Sequence, residues 1–193
     1  STTNDAITAY EEAIVANAGI ITSEKGHGIS IAGGEATNTG SGATITSGKV
    51  GIQLTAVGDA TNSDGATIDA DGDGIALELG GTATNTGAGT SITSGGMGIY
   101  LGDIGEVTNS DGASITAGAN GIVLDWGGNV TNSGGATVFS EGVGVVLWDY
   151  GTIRNSCAGS SIKTVGGGVG VDLMMPIEVD SLALINEDGA VID

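Results

Sequence analysis

Gly121-Ile122-Val123-Leu124, Val130-Thr131-Asn132 and Ala136-Thr137-Val138 are three short apolar segments in immediate succession, separated only by Asp, Trp, Gly, Asn and Ser. Each is too short for an amphipathic helix and is bounded by turn-forming residues, as short strands are. The triplet ending in asparagine recurs in both directions. It reads Ala36-Thr37-Asn38, Ala60-Thr61-Asn62, Ala83-Thr84-Asn85, Val107-Thr108-Asn109, Val130-Thr131-Asn132 and Ile153-Arg154-Asn155, with asparagines 24, 23, 24, 23 and 23 residues apart. Weaker copies end at Asn17 and Asn186.

The other two segments keep step with it. Ile45, Ile68, Ile92, Ile115, Val138 and Ile162 form one column. Ile29, Ile52, Ile75, Ile99, Ile122, Val145 and Val171 form another, each followed two residues later by Ile31, Leu54, Leu77, Leu101, Leu124, Leu147 or Leu173. Strand side chains alternate between faces, so both members of each pair point inward. Three strands per period describe one coil of a stacked solenoid. The fold expected is all-β, a right-handed parallel β-helix with three sides and about seven coils of 23 to 24 residues. Residues 1–16 would cap it or form an imperfect first coil, residues 17–173 carry the repeats, and residues 174–193 make an irregular last coil or C-terminal edge. A left-handed helix of hexapeptides or a calcium-binding nonapeptide roll would need a different period. Buried amides need partners, so Asn38, Asn62, Asn85, Asn109, Asn132 and Asn155 are expected to form an internal ladder from coil to coil.

Composition agrees. There are 38 glycines, one proline and one phenylalanine in 193 residues, which suits many strands and tight turns around an aliphatic core. Four basic residues, Lys25, Lys49, Arg154 and Lys163, oppose 23 acidic ones, a formal charge of −19 that argues against nucleic acid and anionic membrane surfaces as partners. No apolar run is long enough to cross a bilayer as a helix, so no direct membrane insertion is expected. The chain starts Ser-Thr-Thr without an initiator methionine, as a processed form or an excised piece would. Cys157 is the single cysteine and cannot form an internal disulfide.

Gly127-Gly128-Asn129-Val130-Thr131-Asn132-Ser133-Gly134, continuing into Ala136-Thr137-Val138 and Gly144-Val145-Val146-Leu147, resembles the passenger repeats of bacterial autotransporters. Similar text stands at Ala83–Gly87 and Val107–Gly112, and the resemblance covers roughly residues 13 to 173. It implies a right-handed β-helix on the outside of a Gram-negative cell, serving adhesion or self-association. It also implies a C-terminal membrane barrel, which these 193 residues do not contain.

The expected function is therefore an extracellular or cell-surface structural and adhesive module and not an enzyme. Its partner would be a host or neighbouring-cell surface protein or glycan, or a second copy. Two alternatives remain, a carbohydrate-active β-helix enzyme and an ice-binding solenoid. The enzyme would need paired carboxylates at one focus, and the acidic residues are spread over different turns. The lone imidazole, His27, reads as an inert turn residue, and Cys157 as a tolerated replacement of a turn glycine or aspartate. Ice binding would use outward Thr/Ser pairs such as Thr37 with Thr39 and Thr84 with Thr86, but the parallel file on the next side is broken by Asp69, Phe139 and Lys163.

Two local features stand out. Asp69-Ala70-Asp71-Gly72-Asp73-Gly74 has the alternating carboxylates that open a calcium loop, which makes Asp69, Asp71 and Asp73 candidate ligands; the twelfth position is Gly80 rather than glutamate, and a solvated acidic turn is the alternative. The outward residues between the core pairs, Ser30, Gln53, Ala76, Tyr100, Val123, Val146 and Asp172, turn apolar in the later coils. Tyr100, Val123, Val146 and Trp148, with Trp126 nearby, form a candidate partner-binding face. A covering loop at Met174-Met175-Pro176 is the competing explanation.

Overall fold

A computed structural model describes residues 4–174 and 182–193. The chain winds as a parallel β-solenoid of about seven coils. One sheet of eight strands carries the Thr-Ile side, running from Ile20–Ser23 through Thr44–Ser47, Thr67–Ala70, Ser91–Ser94, Ser114–Ala117, Thr137–Ser140 and Ser161–Thr164 to Val191–Ile192. A second sheet of 14 strands holds both the Ile-x-Leu side and the asparagine side. These two are one sheet because Ile7–Asn17 and Ile29–Thr39 each run through both sides without a break. Residues 7–17 are thus strand, with Asn17 opposite Asn38.

Registers are those of the sequence columns: Ile52 pairs with Ile75, Ile75 with Ile99, Asn62 with Asn85 and Ile92 with Ile115. The interior is filled by aliphatic side chains at 0–1% exposure, among them Ile45, Ile52, Leu54, Ile75, Leu77, Ile99 and Leu101. Gly51 explains the glycine that precedes every Ile-x-Leu strand. A Cβ there would occupy the place of the Ile68 methyl Cγ2, so the glycine is the socket for the next coil's isoleucine.

The ladder is continuous. Asn17, Asn38, Asn62, Asn85, Asn109, Asn132 and Asn155 each donate through Nδ2 to the Oδ1 of the next asparagine, at 2.8–2.9 Å, ending on Asn186. Each also donates to a backbone carbonyl across the turn, as Asn85 does to Ser114 O at 3.0 Å. Both weak copies therefore belong to the ladder, Asn17 buried at its start and Asn186 exposed at its end. Among the described residues, Thr164 Oγ1 alone is a buried side-chain polar atom without a partner.

Over residues 39–132 the repeat is a pair of coils. After Asn62 and Asn109 the chain reverses through a type I′ turn, with Asp64 and Asp111 at φ 57° and 56° followed by Gly65 and Gly112 at φ 82° and 78°. After Asn38 and Asn85 the connection holds one more residue, opened by Gly40 and Gly87 at φ 101° and 102°. That extra residue produces the alternation of 24 and 23. The alternation stops at Asn132, whose loop is again the short one, with Gly134 and Gly135 at φ 63° and 80°. The two loop types also bond to each other across coils. Thr39 Oγ1 donates to Asp64 Oδ2 at 3.0 Å, Thr86 Oγ1 to Asp111 Oδ2 at 3.2 Å, and the Gly65 N–H to Thr90 Oγ1 at 2.8 Å. Residues 39–85 and 86–132, 47 each, are identical at 26 positions.

Candidate functional site

In the five coils from Ile52 to Asn155, three residues turn the corner between the leucine of the Ile-x-Leu pair and the glycine that opens the asparagine strand. The column that follows, Gly58, Gly81, Gly105, Gly128 and Gly151, stacks in register. Gly128 sits at φ 124°, and a Cβ on it would strike the Gly105 carbonyl, so the corner must close on glycine. With the interior filled by the flanking leucine and Ala/Val columns, large side chains in the corner have only the outside to occupy. The triplets are Thr55-Ala56-Val57, Glu78-Leu79-Gly80, Gly102-Asp103-Ile104, Asp125-Trp126-Gly127 and Trp148-Asp149-Tyr150. Each carries at least one large apolar side chain that stays in solvent: Val57 at 64% exposure, Leu79 51%, Ile104 53%, Trp126 62%, Trp148 45% and Tyr150 38%. The ring of Tyr150 lies over Gly127, next to Trp126. Four of the five triplets also hold a carboxylate, and none holds a basic residue. The result is an apolar ridge with an acidic rim along one edge of the solenoid.

The expected contact face is corrected by this geometry. Trp148 belongs to the ridge, but Val123 and Val146 are only 5% exposed and offer no contact surface. Alternation does aim them outward, yet stacked files cover short side chains. The half-buried Tyr100 hydroxyl donates to Asp125 Oδ2 at 2.8 Å, reaching into the coil of Val123 and laying the phenol along that file. Burial, then Asp125, pushes the Tyr100 hydroxyl up to about 12. Met174 ends a strand, Val171–Met174, whereas Met175 and Pro176 of the supposed covering loop lie outside the described residues.

Asp69, Asp71 and Asp73 do not form the expected calcium loop. Asp69 and Asp71 are exposed and line a shallow cavity of about 230 Å³ with Glu24, Thr22 and Thr46. Asp73 is turned elsewhere. Its Oδ1 accepts the Met97 N–H at 2.7 Å, and burial raises its pKa. This is a backbone-acceptor position in a coil-pair rhythm: Asn120 accepts the Val143 N–H at 2.9 Å, and His27 Nδ1 accepts the Val50 N–H at 3.3 Å. Among the described residues no three His, Cys, Asp or Glu side chains group where they could hold a metal ion. His27 is accordingly half-buried and structural, with its pKa lowered by burial. Cys157, at φ 75°, occupies the loop position of Gly40 and Gly87.

The outer hydroxyls of the asparagine side are partly engaged with one another. Ser63 Oγ donates to Thr39 Oγ1 at 3.0 Å, and Thr86 Oγ1 and Ser110 Oγ share a bond of 2.8 Å. Sequence reading missed Val57, Leu79 and Ile104, because the apolar residue shifts within the triplet from coil to coil. Counting back from the glycine column would have found them.

Fold and surface define a parallel β-solenoid with an asparagine ladder and one apolar edge. Comparison of the chain with protein families, with curated proteins and with solved structures returns no match.

Proposed function

We propose that this chain is an extracellular or cell-surface structural module whose outer edge is adhesive. The observation that carries the reading is the exposed apolar ridge, repeated on five successive coils from Val57 to Tyr150. Scattered apolar residues are ordinary on protein surfaces; a contiguous line of them is a feature of partner surfaces. The coil stack holds that line rigid, since every coil is fixed by strand ladders and by its asparagine. The resemblance of the repeats to autotransporter passengers supports an exported, cell-surface location.

Beads coated with the chain test the reading. They should adhere to cells or to surface proteins or glycans, and coating with a variant carrying serine at Leu79, Ile104 and Trp126 should reduce adhesion. Adhesion unchanged by those substitutions removes the ridge from the account. Product release from a polysaccharide panel would instead identify a carbohydrate-active enzyme, and thermal hysteresis an ice binder.

A further inference from the structure

We propose that the ridge docks a polypeptide segment carrying both basic and apolar side chains, an inference that rests on the adhesive reading above. Three observations select that occupant. The first is the composition of the edge. Val57, Leu79 and Ile104 are aliphatic and only the last two coils are aromatic, so the first three of the five coils offer no planar face for a sugar ring, while the line suits aliphatic side chains throughout.

The second is charge. Glu78, Asp103, Asp125 and Asp149 rim the ridge with no cation among them, and the nearby Arg154 is held in an ion pair with Glu187. Desolvating that rim against another acidic surface would be unfavourable. A second copy of this chain, at −19, is therefore a poor occupant, whereas Lys or Arg side chains answer the carboxylates and can also lie on the faces of Trp126, Trp148 and Tyr150.

The third is spacing. Neighbouring coils stand about 4.8 Å apart, so the four steps from Val57 to Tyr150 make a line about 19 Å long, the span of roughly six extended residues at about 3.3 Å each. A short extended segment can thus follow the whole edge.

The molecule supplies its own reporter. Trp126 and Trp148 are its only tryptophans and both sit on the ridge, so tryptophan emission, excited selectively over tyrosine, reads this surface alone. The probe is a fluorescein-labelled peptide of alternating Lys and Leu, about eight residues long to cover the line. Its two controls are the Lys-Ser and Glu-Leu counterparts. The intact chain should bind the Lys-Leu peptide with a blue shift of tryptophan emission and with affinity that falls as salt rises.

Leu79→Ser, Ile104→Ser and Trp126→Ser together should weaken binding roughly tenfold or more, as loss of central anchors does. These side chains are exposed, and circular dichroism with thermal melting checks that the coils persist. An independent variant, Glu78→Gln, Asp103→Asn and Asp149→Asn, should weaken binding and flatten its salt dependence. The matched variant on another side, Glu24→Gln, Asp69→Asn and Asp71→Asn, should leave it unchanged.

Equal binding of Lys-Ser and Lys-Leu peptides, or equal loss from both carboxylate variants, would overturn the proposal in favour of diffuse attraction to an acidic protein. Absence of Lys-Leu binding overturns it outright. If a neutral oligosaccharide then produces the tryptophan shift, the adhesive reading survives with another partner chemistry. Ridge-dependent dimerisation without peptide would make a second copy the occupant and likewise overturn the proposal.

Discussion

Replacing Asn109 by alanine tests whether the ladder holds the coils together. Asn109 is fully buried and makes three hydrogen bonds: it accepts from Asn85 Nδ2 at 2.8 Å and donates to Asn132 Oδ1 at 2.8 Å and Thr137 O at 3.1 Å. The substitution leaves Asn132 Oδ1 without its donor and one Nδ2 hydrogen of Asn85 without its acceptor, although Asn85 keeps its other bond, to Ser114 O. Each stranded buried group costs about 1–3 kcal/mol, so the substitution should destabilise by about 2–6 kcal/mol before any contribution from the small cavity. Asn186→Ala is the internal control. It deletes bonds to Asn155 and Ala190 O, but at an exposed position where water can replace them, and should cost about 0.5–1.5 kcal/mol. Urea denaturation measures both, with an unchanged slope indicating that the unfolded state is not the cause. Hydrogen exchange should show protection lost first in the coils on either side of Asn109, because each coil touches only its neighbours. A cost for Asn109→Ala below about 1 kcal/mol, or equal to that of Asn186→Ala, would refute a stabilising ladder.

Three further outcomes follow from the coil geometry. Cys157→Gly should raise the melting temperature, by an amount worth about 1 kcal/mol, because Cys157 holds φ 75° where its sister loops use glycine; an unchanged or lower value counts against backbone strain there. Asp73→Asn should also stabilise at neutral pH. Its raised pKa means the folded chain binds that proton more tightly than the unfolded one, so the ionised carboxylate opposes folding above the carboxylate range, and the gap between variant and parent should close as pH falls through it. Asparagine keeps the acceptor, as Asn120 shows in the sister coil, and a gap that widens on acidification would reverse the argument. Deleting residues 39–85, one coil pair, should leave a cooperatively melting solenoid. Deleting residues 63–85 alone places two five-residue loops side by side and removes the Thr39–Asp64 bond, so it should melt lower; the reverse order would show that the pair is not the structural unit.

How much of this was legible in the sequence depended on whether a residue's role was set by its period or by its neighbours. The asparagines from Asn38 to Asn155 and the Ile-x-Leu pairs from Ile29 to Leu147 recur at 23 to 24 residues and face the interior, so alternation and period place them, whereas Asn17 and Asn186, 21 and 31 residues from their neighbours, are joined to the ladder only by the structure. Val123 shows where alternation stops. It reads as outward and is outward, but exposure depends on what lies one coil away, and Tyr100 reaching to Asp125 is a contact between residues 25 apart. Asp73 shows the same limit for chemistry. Within its hexapeptide it looks like the third ligand of a cation loop, yet its partner is the Met97 N–H, 24 residues on, which makes it the counterpart of Asn120 rather than of Asp69. The ridge was hidden for a related reason. Its side chains share no fixed offset from the core columns, because a three-residue corner can present its middle or either end to solvent. What they share is confinement between a filled interior and a glycine column. In a solenoid, then, the inner surface is written in the period and the outer surface in the differences between adjacent coils, and the differences at the corner are where selection for a partner can act without disturbing the stack.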